Sequence, residues 1–170
     1  MKVLITMNQP DVKMNGKALE RHAVKGIATN EGKLLMLLSE ANGDYKFPGG
    51  GQKAEETDLE TLVREFSEEC GIDGVSIVTE FGSVVENNKA RDEGIDVFRM
   101  TNSYYICNAG SIFGAQNLDA YEEEIKLRPV WVTVEDAIKA NESVLVSDNC
   151  PAWVARETQV LKLINESDIL

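Results

Sequence analysis

Residues 47–72 constrain the fold of this chain more than any other stretch. They open with Phe-Pro-Gly-Gly-Gly, a run that favours a turn and suits neither a helix interior nor a strand interior. Apolar residues then recur at the spacing of one helical face, which predicts a helix; they are Leu59, Leu62, Val63, Phe66 and Cys70. Gly71 predicts the end of that helix, because glycine readily adopts the left-handed conformation found there.

A second face of the predicted helix carries Glu65, Glu68 and Glu69. At about 100° per residue, these side chains lie roughly 120° around the helix from the apolar residues. Like charges at this spacing repel each other, so we expect a compensating cation, and Mg²⁺ and Mn²⁺ prefer carboxylate oxygens. A solvated acidic face is the alternative. The glycine turn favours the metal site, since a helix start attracts anions and a pyrophosphate both chelates metals and is anionic.

The segment resembles the Nudix box, G-x5-E-x7-R-E-U-x-E-E-x-G-U, in which U is a bulky aliphatic or aromatic residue. All nine fixed positions match, and they are Gly50, Glu56, Arg64, Glu65, Phe66, Glu68, Glu69, Gly71 and Ile72. The resemblance implies an α+β fold, an α/β/α sandwich with a mixed central sheet and the box forming a loop–helix–loop at one edge. We expect a single domain over residues 1–170, in which residues 1–20 form a strand or hairpin extension outside the family pattern.

The resemblance also implies an enzyme that hydrolyses a nucleoside diphosphate linked to another moiety. In such enzymes water attacks phosphorus, and catalysis depends on positioning and on neutralising the phosphate charge. Mg²⁺ or Mn²⁺ is the implied cofactor. The implied metal ligands are Gly50, through its carbonyl, and Glu65, Glu68 and Glu69.

Other residues of the resemblance have supporting or less certain roles. Arg64 is expected to orient the glutamates, and Glu56 to fix the loop. For the general base the order of preference is Glu124 and then Glu122, in the acidic segment 121–125, with a solvated acidic turn as the alternative. Substrate contacts are expected from Arg21, Lys46 and Arg99, while Lys25 and Arg91 are further candidates. No pattern selects among ADP-ribose, nucleoside triphosphates, dinucleoside polyphosphates and capped RNA ends.

The net charge of −12 argues against duplex nucleic acid or a membrane surface as partner, but not against a small anionic substrate. Three scattered cysteines favour reduced thiols and a cytoplasmic location. The first ten residues lack the apolar run of a signal peptide, and no stretch is long enough to span a membrane. A homodimer would be ordinary for such a protein, although no interface is identified. The alternative function is a Nudix-fold sensor that binds a nucleotide or metabolite without turnover, but such proteins are expected to lose box glutamates.

Periodicity elsewhere predicts further elements. The predicted strands are Val3–Met7, Ala18–Thr29, Lys33–Leu38, Val75–Val85, Val97–Cys107 and Val130–Val132, and the predicted helices are Val134–Ala140, capped by Thr133, and Pro151–Ile164. Residues 86–94 and 108–119 are predicted as loops.

Overall fold

The computed structural model of the protein describes residues 1–167 and 169. The strands within this part of the chain are β1 (Val3–Asn8), β2 (Ala18–Asn30), β3 (Lys33–Ser39), β4 (Tyr45–Lys46), β5 (Gly49–Gly51), β6 (Ser76–Asn88), β7 (Val97–Asn108) and β8 (Leu127–Val132). The helices are α1 (Asp58–Cys70), α2 (Ala120–Glu124), α3 (Val134–Leu145) and α4 (Val154–Asn165).

The strands form one mixed sheet in the order β1-β6-β7-β2-β3-β4, with β5 paired to β2 and β8 paired to β3. β1 runs parallel to β6, and β2 runs parallel to β7 over the register from Ala18–Val97 to Ala28–Cys107. The other pairings are antiparallel. The predicted α+β fold with a mixed sheet is therefore confirmed.

Two apolar cores lie between the sheet and its helices. One contains Phe66 of α1 and Val24 of β2, and the other contains Leu161 of α4 and Ile27 of β2. Phe66 reaches the sheet because Gly26 offers no side chain: a Cβ there would lie 2.5 Å from the Phe66 ring. Helices thus cover both faces of the sheet, as the expected sandwich requires.

Helix α1 ends at Gly71 as predicted but buries a different face. Thr57 caps its start in a capping box with Glu60, and Gly71 ends it in the left-handed conformation at φ 63°. Leu59 and Val63, which the periodicity assigned to the apolar face, are 42% and 38% exposed. Other residues of α1 lie against the sheet instead, and they are Leu62, Glu65, Phe66, Glu69 and Cys70. The prediction of an apolar face separate from an acidic face was wrong, because Glu65 and Glu69 are buried beside hydrogen-bond donors.

The glycine run was also predicted incorrectly in part. Gly49–Gly51 forms strand β5 and pairs with Ala23–Lys25 of β2. Gly49 has φ 124°, and a Cβ there would overlap the carbonyl oxygen of Val24. Glycine disfavours ordinary strands, but here its lack of a side chain makes the close pairing of β5 with β2 possible.

Two polar segments contain structure that the composition did not indicate. Glu86 and Asn87, predicted to lie in an exposed loop, belong to β6 and are buried. The acidic segment contains α2, which begins in a capping box formed by Asp119 and Glu122. None of the described helices has the length and apolar character needed to span a membrane.

Candidate active site

Arg64 gathers three carboxylates beside the cleft between α1 and α2. Its guanidinium binds Glu56 through two hydrogen bonds, Nε to Oε1 at 2.7 Å and Nη2 to Oε2 at 2.9 Å. Nη1 donates to Glu65 and, at 3.2 Å, to Oε2 of Glu68, while Nη2 donates to the Gly51 carbonyl at 3.1 Å. These hydrogen bonds from Arg64 lower the pKa of Glu56 to about 2. One side chain therefore fixes the glycine strand and the carboxylates of α1 relative to each other.

Glu65 lies directly against strand β5. A Cβ on Gly50 would be 2.5 Å from Oε1 of Glu65 and 2.6 Å from its Cδ. Any larger residue at this position would have to displace the carboxylate. Glycine at position 50 therefore leaves room for the Glu65 carboxylate and also allows the backbone pairing of β5 with β2.

Glu69 has a separate set of partners. The Gly49 N–H donates to its Oε2 at 2.6 Å, and the Lys46 ammonium donates to its Oε1 at 3.0 Å. Burial disfavours the charge on Lys46, but the carboxylates of Glu69 and of Glu122, the latter 3.5 Å away, outweigh burial and raise the Lys46 pKa. Lys25, whose pKa is lowered by burial, donates to the Gly49 carbonyl. The structure thus surrounds the buried Glu69 with donors.

The two candidates for the general base differ in their surroundings. Glu122 faces Lys46 and is half-buried, and its pKa is raised first by burial and then by the charge of Glu69. Glu124 is exposed at the last residue of α2. Only Glu122 lines the cleft beside α1.

This cleft has a volume of about 450 Å³. Four carboxylates line it, Glu65 and Glu68 of α1 on one side and, on the other, Glu122 of α2 and Asp119, which caps the start of α2. The described residues contain no group of three or more histidine, cysteine, aspartate or glutamate side chains already arranged to hold a metal ion. Glu65 and Glu68 meet at Arg64, whereas Glu69 points towards Lys46. The all-oxygen donor set of the cleft nevertheless suits Mg²⁺ or Mn²⁺ chemically.

The residues predicted to bind substrate are divided among three places. Lys46 lies within the carboxylate site, and Arg21 lines a second cavity. Arg99 is occupied elsewhere, donating to Glu20 and to the Asn87 side chain at 2.9 Å each. The structure therefore does not bring Arg99 to the carboxylates.

A buried group behind the glycine strand escaped sequence reasoning. Glu157 of α4 is 0% exposed and accepts a hydrogen bond from the Phe47 N–H at 3.3 Å. It also accepts two hydrogen bonds from Arg156, at 2.7 and 3.0 Å. The local sequence gave no signal of this contact, because 110 positions separate the two residues that it joins.

The α+β fold, in which a glycine strand leads into a glutamate-bearing helix, is the arrangement expected of a Nudix domain. A family model for the NUDIX domain matches residues 19–153, and the chain belongs to this family. It is an enzyme, a Nudix hydrolase that acts on phosphoric anhydride bonds. Nudix hydrolases generally use divalent metals and act on small nucleotide derivatives.

Comparison with curated proteins gives no match. Among solved structures, the mutator MutT protein of Bacillus halodurans superposes with a TM-score of 0.57 at 22% identity, over 88% of this chain and 85% of that one. The ORF135 protein of E. coli gives 0.53 at 19% identity, over 88% and 95%. An ADP-ribose pyrophosphatase of Streptococcus suis gives 0.53 at 16% identity, over 87% and 93%. At these identities the likeness supports the shared fold.

Proposed function

We propose that the protein hydrolyses a nucleoside diphosphate linked to another moiety, using Mg²⁺ or Mn²⁺, in the cleft between α1 and α2. The observation that carries this proposal is the arrangement around Arg64, which holds Glu65 and Glu68 on one wall while Glu122 faces them. Such a concentration of carboxylates suits a cation and its phosphate ligand better than a structural core. The named relatives, a MutT protein and an ADP-ribose pyrophosphatase, support the same substrate class.

Glu65, Glu68 and the Gly50 carbonyl are proposed metal ligands, and Glu65 and Glu68 line the cleft. Glu69 would join them after exchanging its contact with the Lys46 ammonium, which lies 3.0 Å away. When bound, the cation would neutralise charge on the diphosphate oxygens and favour ionisation of water. Arg64 keeps Glu65 and Glu68 on the same wall, and this is a positioning role.

Lys46 and Glu122 are the proposed substrate-facing pair. Lys46 would donate to a phosphate oxygen, since its raised pKa keeps it charged at neutral pH. Glu122 would accept the proton of the attacking water, supported by its place in the cleft and its raised pKa. We place Glu122 ahead of Glu124 because only Glu122 lines the cleft.

We also propose a cytoplasmic location, supported by three free cysteines, of which Cys70 and Cys107 are buried. Homodimer formation stays a prediction.

The test is a nucleotide-release assay over a panel of nucleoside diphosphate derivatives, with Mg²⁺, with Mn²⁺ and with chelator. We expect turnover that depends on the metal and falls at least about a hundredfold in Glu68→Gln and in Glu69→Gln, as for loss of a group that acts on the transition state. Glu142→Gln is the control, because Glu142 pairs with Lys162 on the helix layer of α3 and α4. Full activity of both site variants would refute the metal assignment, and binding without turnover would favour the sensor.

A further inference from the structure

A cavity of about 850 Å³ opens on the sheet face that α3 and α4 cover farther along the strands. The ends of β1, β2, β6 and β7 meet here, and the segment after β6 closes one side. Apolar side chains of Met7, Leu19 and Phe98 line it together with cationic side chains of Arg21 and Arg91. The lining is therefore suited to a ligand that has both an apolar and an anionic part.

The two arginines are distinctive because they lack partners within the described part of the chain. The sequence contains six arginines, and four of them, Arg64, Arg99, Arg128 and Arg156, form ion pairs with carboxylates. The remaining two, Arg21 and Arg91, form no ion pair or side-chain hydrogen bond with a described residue, and both line this cavity. In a protein of net charge −12, two exposed arginines at one cavity, without carboxylate partners among residues 1–167 and 169, are free to bind an anionic ligand.

Carboxylates of the same cavity do not cancel this charge. Glu86 is already bound by Arg156 at 2.5 Å and by the Asn102 side chain at 3.0 Å. Asp92 adds one carboxylate to the lining, and Lys89 adds a third cation, 3.8 Å from Asp11. Cationic side chains that can reach a ligand therefore outnumber available carboxylates.

Strand register places the cavity within reach of the cleft on a single substrate molecule. Lys25 of β2 pairs with Gly49 and donates to its carbonyl, and the Gly49 N–H donates to Glu69. Arg21 lies four residues before Lys25, so both side chains are on the same face of β2, roughly 13 Å apart along the strand at about 3.3 Å per residue. A nucleoside with its phosphate can span this distance. A diphosphate bound at the carboxylates could thus extend one of its two moieties into the cavity.

We propose that this cavity selects a substrate whose distal moiety carries a further phosphate group, held by Arg21 and Arg91. The inference rests on the proposed function, since it assumes a diphosphate at the carboxylate cleft. Arginine forks match phosphate oxygens, and a phosphate monoester carries roughly −1.5 to −2 charge at neutral pH, which two arginines complement. Leu19 and Phe98 would cover the apolar face of the same moiety.

The experiment measures binding by calorimetry with two matched ligand pairs, ADP-ribose against 2′-phospho-ADP-ribose, and dephospho-coenzyme A against coenzyme A. Glu122→Gln with Mg²⁺ serves as the binding protein, because it removes the proposed base but keeps the proposed metal ligands, so it is expected to hold the ligands without consuming them. We expect the phosphorylated member of at least one pair to bind at least about tenfold more tightly, from charge-assisted hydrogen bonds. The ratio should approach one after Arg21→Ala and Arg91→Ala are added.

Arg128→Ala is the matched control, because Arg128 pairs with Glu40 at 2.5 Å on β8, away from the cavity. It should leave the ratio unchanged. Equal affinities within both pairs, no binding of any of the four ligands, or a ratio that survives loss of both cavity arginines would each overturn the inference.

Hydrolysis by the wild-type enzyme separates this inference from the proposed function. Hydrolysis of both members of each ligand pair, with equal affinities within each pair, would overturn this inference and leave the proposed function intact. Discrimination in binding without turnover of any tested diphosphate would support the cavity and count against the proposed hydrolysis.

Discussion

The buried carboxylate of Glu157 allows a quantitative test of the packing behind the glycine strand. Glu157 is 0% exposed; its Oε1 accepts two hydrogen bonds from Arg156, and its Oε2 accepts the Phe47 N–H at 3.3 Å. In Glu157→Gln one of these oxygens becomes an NH₂ group, which donates and cannot accept. Either Arg156 or the Phe47 amide must then lose its acceptor.

The expected cost follows from burial. Breaking a buried ion pair typically costs about 3–5 kcal/mol, because the remaining charge is left uncompensated. Glu86 still pairs with Arg156 at 2.5 Å, so we expect the lower end, about 3 kcal/mol. For a chain of this size, about 2–4 °C per kcal/mol converts this loss into a fall of roughly 6–12 °C in Tm.

The assay is urea unfolding followed by tryptophan fluorescence, with thermal unfolding as a second measure. Glu142→Gln is the control: its carboxylate lies 2.6 Å from Lys162 but is half exposed, so its loss should cost about 0–1 kcal/mol. If Glu157→Gln proved no more than about 1 kcal/mol less stable than this control, the assignment of a buried charge network would be refuted.

Two further predictions concern α1. Gly26→Ala would place a Cβ 2.5 Å from the Phe66 ring. We therefore expect the free energy of unfolding, measured in urea, to fall by about 1–3 kcal/mol. A variant as stable as the wild type would show that the ring can move aside. The pKa of Glu56 is lowered from 4.5 to about 2, so its ion pair with Arg64 stabilises the fold above pH 4.5, and this contribution disappears as the pH falls towards 2. Glu56→Gln should therefore be less stable than wild type at pH 7 and equally stable near pH 2. If the difference in free energy of unfolding between the two proteins were the same at both pH values, it would not come from the ion pair.

A local signal in the sequence predicted the end of α1 but not the face that it buries. Gly71 ends the helix through its own left-handed backbone conformation, which glycine readily adopts. Glu69 lies against the sheet because Gly49 and Lys46, some twenty positions earlier, supply donors for its carboxylate. Periodicity counts a glutamate as polar and cannot register such partners.

The same limit applies to the candidate site. The box motif identified Arg64 and the glutamates that it binds, because the motif specifies their spacing. The ranking of Glu124 over Glu122 had no such support, since the orientation of α2 follows from tertiary packing. Arg21 and Arg99 looked equivalent in the sequence, yet of the two only Arg99 forms an ion pair with Glu20.

Strand β1 also determines which strand forms one edge of the sheet. It lies outside residues 19–153, the segment that the family model matches, and pairs with β6, which spans Ser76–Asn88. Without it, the long outer strand β6 would present unpaired N–H and C=O groups, which template pairing with other chains. β1 replaces that edge with one of six residues, interrupted by a register shift between Val3 and Ile5. We therefore expect that removing the N-terminal segment would expose β6 as a longer edge and reduce solubility before it alters the chemistry of the cleft.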